Sequence, residues 1–174
     1  MKRINLYVVF LLVMVVLTIT NPVFSQAKFE PNSYYRLTTE WQGIAKSLDV
    51  FDGGNNNYFS LLADTGNFSG QFWKITSVGG GYYRLTTEYL GSDRSLDIIN
   101  DGNNNLPVLA KTGDFRGQYW KITPLANGYY RLTTKWQGDG KSLDIVNDGK
   151  DNNQPALAKT GDFTGQHWNI TKVK

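Results

Sequence analysis

Cysteine is absent from the chain, and of its 174 residues one is histidine, 5 are proline and 2 are methionine. The missing thiols exclude disulfide frameworks, cysteine-ligated metals and thiol nucleophiles. One imidazole, His167, leaves little for nucleophile-plus-base chemistry. Charge of one sign is also lacking: of 18 Lys and Arg, Lys2 and Arg3 belong to an N-terminal leader, so 16 remain against 15 Asp and Glu. That balance gives no basic face for nucleic acid. Outside the leader no window keeps the 3.6-residue apolar period of a helix. What the chain does have is 40% apolar and 14% aromatic residues with 18 glycines, a composition that excludes a disordered polar chain.

Met1 to Ser25 has the pattern of a secretory signal. Lys2 and Arg3 form its charged start, Leu6 to Ile19 an almost unbroken apolar run, and Val23-Phe24-Ser25 a cleavage point with a small last residue. The run is about 14 residues, short of the roughly 20 that cross a bilayer core as a helix, so export with cleavage after Ser25 is expected and stable membrane insertion is not. A short lead-in, 26–33, then precedes the repetitive body, 34–174.

The body is one sentence written three times, over 34–76, 82–123 and 129–171. Repetition at this period means units that share a core. Each copy holds four short strand-like segments. The first is Tyr-Tyr-Arg-Leu-Thr-Thr, in which alternation puts Tyr35, Leu37 and Thr39 on one face and Tyr34, Arg36 and Thr38 on the other. The second is Ser-Leu-Asp-Val/Ile, with Asp49, Asp97 and Asp144 opposite the apolar face. The third is Leu61-Leu62-Ala63 and its equivalents. The fourth begins at Gln71, Gln118 and Gln166 and turns Trp73, Trp120 and Trp168 inward. Asp-Gly and Asn-rich turns join the segments. A unit of this size cannot bury its apolar face alone, and closing three of them together removes exposed sheet edges; a pseudo-threefold barrel, a three-sided prism or part of a propeller would each do so, the last disfavoured because propellers usually have four or more blades.

Gly70-Gln71-Phe72-Trp73, Gly117-Gln118-Tyr119-Trp120 and Gly165-Gln166-His167-Trp168, each about 23 residues after a Leu-Asp-Val/Ile segment, resemble the threefold Gln-x-Trp signature of ricin-type β-trefoil lectin domains. The resemblance spans about 34–171. It implies an all-β fold, a β-trefoil of twelve strands in three pseudo-symmetric four-strand repeats, with six strands in a barrel and six in capping hairpins. It also implies up to three shallow sugar sites. Of the family's sugar contacts only the aspartate matches, at Asp49, Asp97 and Asp144. The stacking aromatic of the third strand is replaced by Ala63, Ala110 and Ala158, and the asparagine ahead of Gln-x-Trp by Gly70, Gly117 and Gly165.

A sugar site needs a flat exposed aromatic beside hydroxyl-binding carboxylates or amides. Trp41, Tyr89 and Trp136, at the tips between the first and second segments, are the stacking candidates; the alternative is that they fold back over the hairpin. Asp49, Asp97 and Asp144 are the carboxylate candidates, against Asx turns or ion pairs. Phe68, Phe115 and Phe163 read as packing residues, with stacking on a sugar as the alternative, and His167 as an outward spectator. The Gln and Trp of each motif read as structural, Gln by satisfying backbone groups and Trp by filling the core. The loops 52–57, 101–105 and 148–153 hold oxygen atoms but lack spaced calcium ligands, and each copy offers one aspartate where glycoside hydrolysis needs a pair. The expectation is therefore a monomeric, non-enzymatic module, secreted or periplasmic, without metal or cofactor, whose partner is an oligo- or polysaccharide. The alternative is a β-trefoil that binds protein or serves adhesion.

Overall fold

The computed structural model describes residues 27–55, 57–150 and 152–174; the leader at 1–25 lies outside them. Twelve strands follow in order: β1 (Tyr35–Thr39), β2 (Lys46–Asp52), β3 (Tyr58–Asp64), β4 (Trp73–Gly79), β5 (Tyr82–Thr87), β6 (Arg94–Ile98), β7 (Pro107–Lys111), β8 (Trp120–Pro124), β9 (Tyr130–Thr134), β10 (Lys141–Ile145), β11 (Pro155–Lys159) and β12 (Trp168–Lys172). Three 3₁₀ turns, Ser69–Gln71, Arg116–Gln118 and Thr164–Gln166, precede β4, β8 and β12. The described residues contain no α-helix. Six strands close a barrel in the order β1-β12-β9-β8-β5-β4, while β2–β3, β6–β7 and β10–β11 form antiparallel hairpins. This is the β-trefoil implied by the resemblance of the Gln-x-Trp motifs.

Register shows why no copy stands alone. The long barrel ladders join consecutive copies: Trp73↔Thr87 begins β4–β5, Trp120↔Thr134 begins β8–β9, and Thr39↔Trp168 ends β1–β12. Within a copy the two barrel strands meet only near one end, at Tyr35↔Trp73 in copy one and Trp168↔Tyr130 in copy three. Most main-chain pairing in the barrel is thus lost unless the neighbouring copy is present.

The core repeats with the sequence. Trp73, Trp120 and Trp168 are fully buried together with Leu37, Leu85 and Leu132 and with Leu48, Leu96 and Leu143. Each indole N–H donates to a backbone carbonyl, those of Leu48, Leu96 and Leu143, at 2.8 Å, so the large ring is buried without an orphaned donor. The alternation expected in the first strand holds for Tyr35, Leu37 and Thr39, but Thr38 is buried too. The expected start of the fourth strand at Gln shifts to Trp. Gln71 lies in the 3₁₀ turn, where its N–H bonds Phe68 O at 3.0 Å.

One end of the barrel is stopped by the lead-in. The Phe29 ring meets Tyr35 at 5.2 Å, Tyr83 at 5.3 Å and Tyr130 at 6.4 Å between centroids, and these are the equivalent tyrosines of the three first strands. The Tyr83 hydroxyl donates to Ala27 O. A single non-repeated ring therefore fills the mouth of a threefold well.

Candidate functional site

Each Gly-Gln-x-Trp turn is built around the amide of its glutamine. Gln71 Nε2 donates to Asp64 O (2.9 Å) and Asp49 Oδ2 (3.0 Å), and its Oε1 accepts from Gly66 N (2.9 Å). Gln118 does the same with Lys111 O, Asp97 and Gly113 N, and Gln166 with Lys159 O, Asp144 and Gly161 N. All three glutamines are fully buried, and every polar atom of each amide has a partner, as the structural reading of the motif requires.

The aspartates are drawn into the same network. In copy one the second carboxylate oxygen, Asp49 Oδ1, accepts from Val50 N at 2.7 Å. Asp97 and Asp144 are only 5% and 6% exposed, which corrects the expectation of outward carboxylates. Strand alternation turns them away from the apolar core, yet the turn below covers them. Burial raises the Asp97 and Asp144 carboxyls above the ordinary aspartate range, opposed by the Gln118 and Gln166 amides and by the N–H groups of Ile98 and Ile145. The glycine ahead of each Gln is what lets the carboxylate lie there. A Cβ on Gly70 would sit 2.2 Å from Asp49 Oδ1, and on Gly117 or Gly165 2.3 Å from Asp97 or Asp144 Oδ1. The glycines that stand where the family has asparagine thus fit a closed carboxylate.

The aromatic platforms differ from expectation. Phe68, Phe115 and Phe163 are 59%, 57% and 58% exposed, so they are not packing residues. Each ring edge rests on the glycine two positions earlier, Gly66, Gly113 or Gly161, where a Cβ would come within 2.3 to 2.4 Å of the ring and force it to move. The same loop is braced by an arginine of the first strand. Arg36, Arg84 and Arg131 donate through Nη2 to Gly66, Gly113 and Gly161 O at 2.6, 2.6 and 2.7 Å. A sequence signal existed, since Thr-Gly-x-Phe recurs in each copy, but nothing in it says whether the ring is covered.

Trp41, Tyr89 and Trp136 sit on tight tips. Gly43, Gly91 and Gly138 adopt φ of 60°, 60° and 66°, a left-handed conformation suited to glycine, and return their N–H groups to Thr39, Thr87 and Thr134 O at 2.9 Å. Tyr89 is 48% exposed, whereas Trp41 and Trp136 are half-buried against the core.

These tips do not meet the aspartate of their own copy; they reach over the turn of the neighbouring one. Trp41 N donates to Thr164 O and Tyr89 N to Ser69 O, both at 3.2 Å, and Lys135, beside Trp136, receives Arg116 Nη2 on its carbonyl at 3.2 Å. In the seam between copies three and one, Trp41, Phe163, Asp144, Asp162, Asn147 and Thr164 line a cleft of about 550 Å³. In the first seam the Tyr89 hydroxyl lies 3.4 Å from Asp52 Oδ2. The predicted residues are therefore brought together across copies: Trp41 with Asp144, not with Asp49.

The residue between Gln and Trp lies under this seam, because the next copy's tip pairs over it: Glu40 N with His167 O and Glu88 N with Phe72 O at 2.9 Å, and Lys135 N with Tyr119 O at 2.8 Å. His167 is accordingly buried, a correction to its reading as an outward spectator. Its Nδ1 is 2.5 Å from Glu40 Oε2 and its Nε2 3.0 Å from Asp162 Oδ1. The Asn-rich loops open in Asx turns, with Asp52, Asp101 and Asp148 Oδ1 accepting from Gly54, Asn103 and Lys150 N at 2.8, 2.9 and 2.8 Å.

A family model described as ricin-type beta-trefoil lectin domain-like matches residues 69–159, just over half of the chain. Among solved structures, the designed 3-fold symmetric protein ThreeFoil is 24% identical with a TM-score of 0.70, covering 80% of this chain and 99% of that one. The exo-beta-1,3-galactanase 1,3Gal43A from Clostridium thermocellum is 25% identical with a TM-score of 0.69, over 82% of this chain and 30% of the galactanase. The Polyporus squamosus lectin, solved with Neu5Aca2-6Galb1-4GlcNAc bound, is 16% identical with a TM-score of 0.66, over 83% of this chain and 50% of the lectin. The chain thus spans from 30% to 50% of the length of these two natural proteins. No curated protein matches it.

Proposed function

Because the chain belongs to the ricin-type β-trefoil lectin domain-like family, we propose that it is an exported, non-enzymatic carbohydrate-binding module whose glycan sites lie in the seams between copies. The observation that carries this reading is the Trp41–Phe163 cleft, where two aromatic side chains and the polar groups of Asp162, Asn147 and Thr164 line one concavity. A sugar ring offers an apolar C–H face and a rim of hydroxyls, and such a surface serves both. At the equivalent repeat positions of the other two seams stand Tyr89 and Phe68, and Trp136 and Phe115. Asp97 and Asp144 act mainly by fixing the turn, since their carboxylates already accept from the glutamine and the backbone.

Each site is open, so three on one rigid body raise the apparent affinity for a repeating polymer through effective concentration. Galactose-containing glycans are the first ligands to try, following the galactanase. The test is a glycan array followed by titration, comparing the protein with a Phe68→Ala, Phe115→Ala, Phe163→Ala variant. Loss of one stacked ring is expected to weaken a site by about tenfold, with unchanged thermal unfolding because the rings are exposed. Binding that survives the triple substitution, or no binding to any glycan at millimolar ligand, abandons the reading. Mass analysis of exported protein is expected to find Gln26 as the first residue.

A second reading, a protein-binding or adhesion trefoil, has one observation in its favour. The hairpins expose Phe51, Phe59, Ile99 and Leu106, the first two opposite each other in β2–β3. Capture of one stoichiometric protein, lost on Phe51→Ser with Phe59→Ser and accompanied by no glycan, favours that reading.

A further inference from the structure

The three seams share their scaffold but differ in what holds the residue just ahead of the exposed phenylalanine: Asn67, Asp114 or Asp162. In the second seam the Tyr119 hydroxyl donates to Asp114 Oδ1. In the third, His167 Nε2 faces Asp162 Oδ1 at 3.0 Å. In the first the corresponding pair is Phe72 and Asn67, and a phenyl ring has nothing to donate. Asp162 also lines the Trp41–Phe163 cleft, so the third seam couples a titratable ring to the rim of a candidate site.

The groups facing His167 can be named. Glu40, just after β1, meets Nδ1 at 2.5 Å. Asp162, from the loop before the 3₁₀ turn, meets Nε2. Tyr129, ahead of β9, lays its ring 6.2 Å away at a tilt of 31°. Arg131 is bound to Gly161 O, next to Asp162. Nε2 is shut off from solvent and short of a well-aligned hydrogen bond, so attraction between ring and carboxylate, rather than a directional bond, couples it to Asp162.

A neutral imidazole carries one N–H and one bare lone pair, whereas imidazolium donates at both nitrogens. Carboxylates at both edges therefore match the protonated ring. When the proton leaves, one carboxylate faces a lone pair. The Asp162 side chain is 96% exposed and that of Glu40 34%, so Asp162 is the partner that water can take over.

We propose that the residue between Gln and Trp is a positioning residue for the glycan site of its seam, and that His167, held between Glu40 and Asp162, makes the Trp41–Phe163 site bind more tightly on acidification. This deepens the glycan-binding reading and rests on it. Tyr119 fixes Asp114 without a titration step, Phe72 fixes nothing, and His167 fixes Asp162 only while protonated. Histidine is the side chain that changes charge in the physiological range, and a fixed acceptor in place of a free one strengthens binding by about threefold to tenfold.

The test has a ligand-free and a ligand-bound arm, both by NMR on the mature protein. Without ligand, the Asp162 carboxyl carbon is expected to shift along with the His167 ring resonances as pH falls, and this coupled shift is expected to vanish in His167→Phe, which installs the residue of copy one. With β-1,3-galactobiose and Galβ1-4GlcNAc as probes, the Trp41 indole resonance reports affinity at about pH 8 and about pH 5.5. Binding is expected to be about threefold to tenfold tighter at the lower pH, pH-independent in His167→Phe and Asp162→Asn, and pH-independent but tight in His167→Tyr. An Asp162 carboxyl that ignores His167, or the same pH dependence in His167→Phe, overturns the proposal. Coupling of Asp162 to His167 with no response of Trp41 to either sugar at any pH supports the clamp and overturns the glycan reading of this cleft.

Discussion

The interior and the seams of this β-trefoil come from the same repeated sentence and treat it differently. In the interior the indole, leucine and glutamine positions are the same in every copy: three indoles, three N–H bonds of 2.8 Å to leucine carbonyls, and three glutamines with the same pattern of amide partners. In the seams the main-chain geometry is also threefold, but Phe72, Tyr119 and His167 give each boundary its own polar chemistry. The difference lies in what covers each position. Core residues of all three copies belong to one buried cluster, so a change in one is felt by the shared packing. A seam residue meets one tip from one neighbour, and can vary with that neighbour alone.

If the interior is a shared threefold unit, Trp73→Ala, Trp120→Ala and Trp168→Ala each cost about 3–5 kcal/mol, and the three values agree to within about 1 kcal/mol in urea unfolding. One tryptophan that proves dispensable breaks the comparison. A smaller effect separates the turns. A Cβ on Gly117 would meet Ile98 O at 2.3 Å in addition to the Asp97 carboxylate, whereas on Gly70 the nearest backbone atom is Val50 N at 3.3 Å. Gly117→Ala is expected to cost about 1–3 kcal/mol and Gly70→Ala measurably less; the reverse order would show that copy one is not the more forgiving turn.

The smallest effect is a pH dependence. Burial holds the Asp97 and Asp144 carboxyls above the ordinary aspartate range, so the folded protein binds these two protons more tightly than the unfolded chain. Their contribution to stability is complete below the unfolded carboxyl's pKa and is lost as pH rises through the folded one. Carboxyl-carbon titration by NMR is expected to give midpoints above that of a free aspartate at both sites, and midpoints at or below it would show the glutamine amides winning over burial.

Periodicity and repetition made the four strands of each copy, the inward tryptophans and the role of Gln71, Gln118 and Gln166 legible in the sequence, because each is a property of one strand or of one copy; the way the three copies close came from the resemblance of the Gln-x-Trp motifs. The site was legible only in pieces. Alternation correctly turned Asp97 and Asp144 off the core face, but could not report that the following turn, about 20 residues on, covers that face as well. Trp41 was rightly placed on a tip, yet its partner Asp144 lies a whole circuit of the barrel away in sequence. Phe163 and His167 exchanged roles, the ring expected to pack standing in solvent and the ring expected in solvent lying buried. Both outcomes depend on whether a tip from another copy arrives above, which a single copy's pattern does not encode.

The plug formed by Phe29 has a consequence for how the molecule can be attached to something else. Its ring lies 5.2, 5.3 and 6.4 Å from the three equivalent tyrosines, so the chain enters near the pseudo-symmetry axis, whereas the other terminus ends beside one boundary, with Lys174 Nζ 4.1 Å from the Phe72 ring centre. A cargo domain tethered at the front would hang from the hub and leave every rim position open, while the same cargo tethered at the back would shade one of the three.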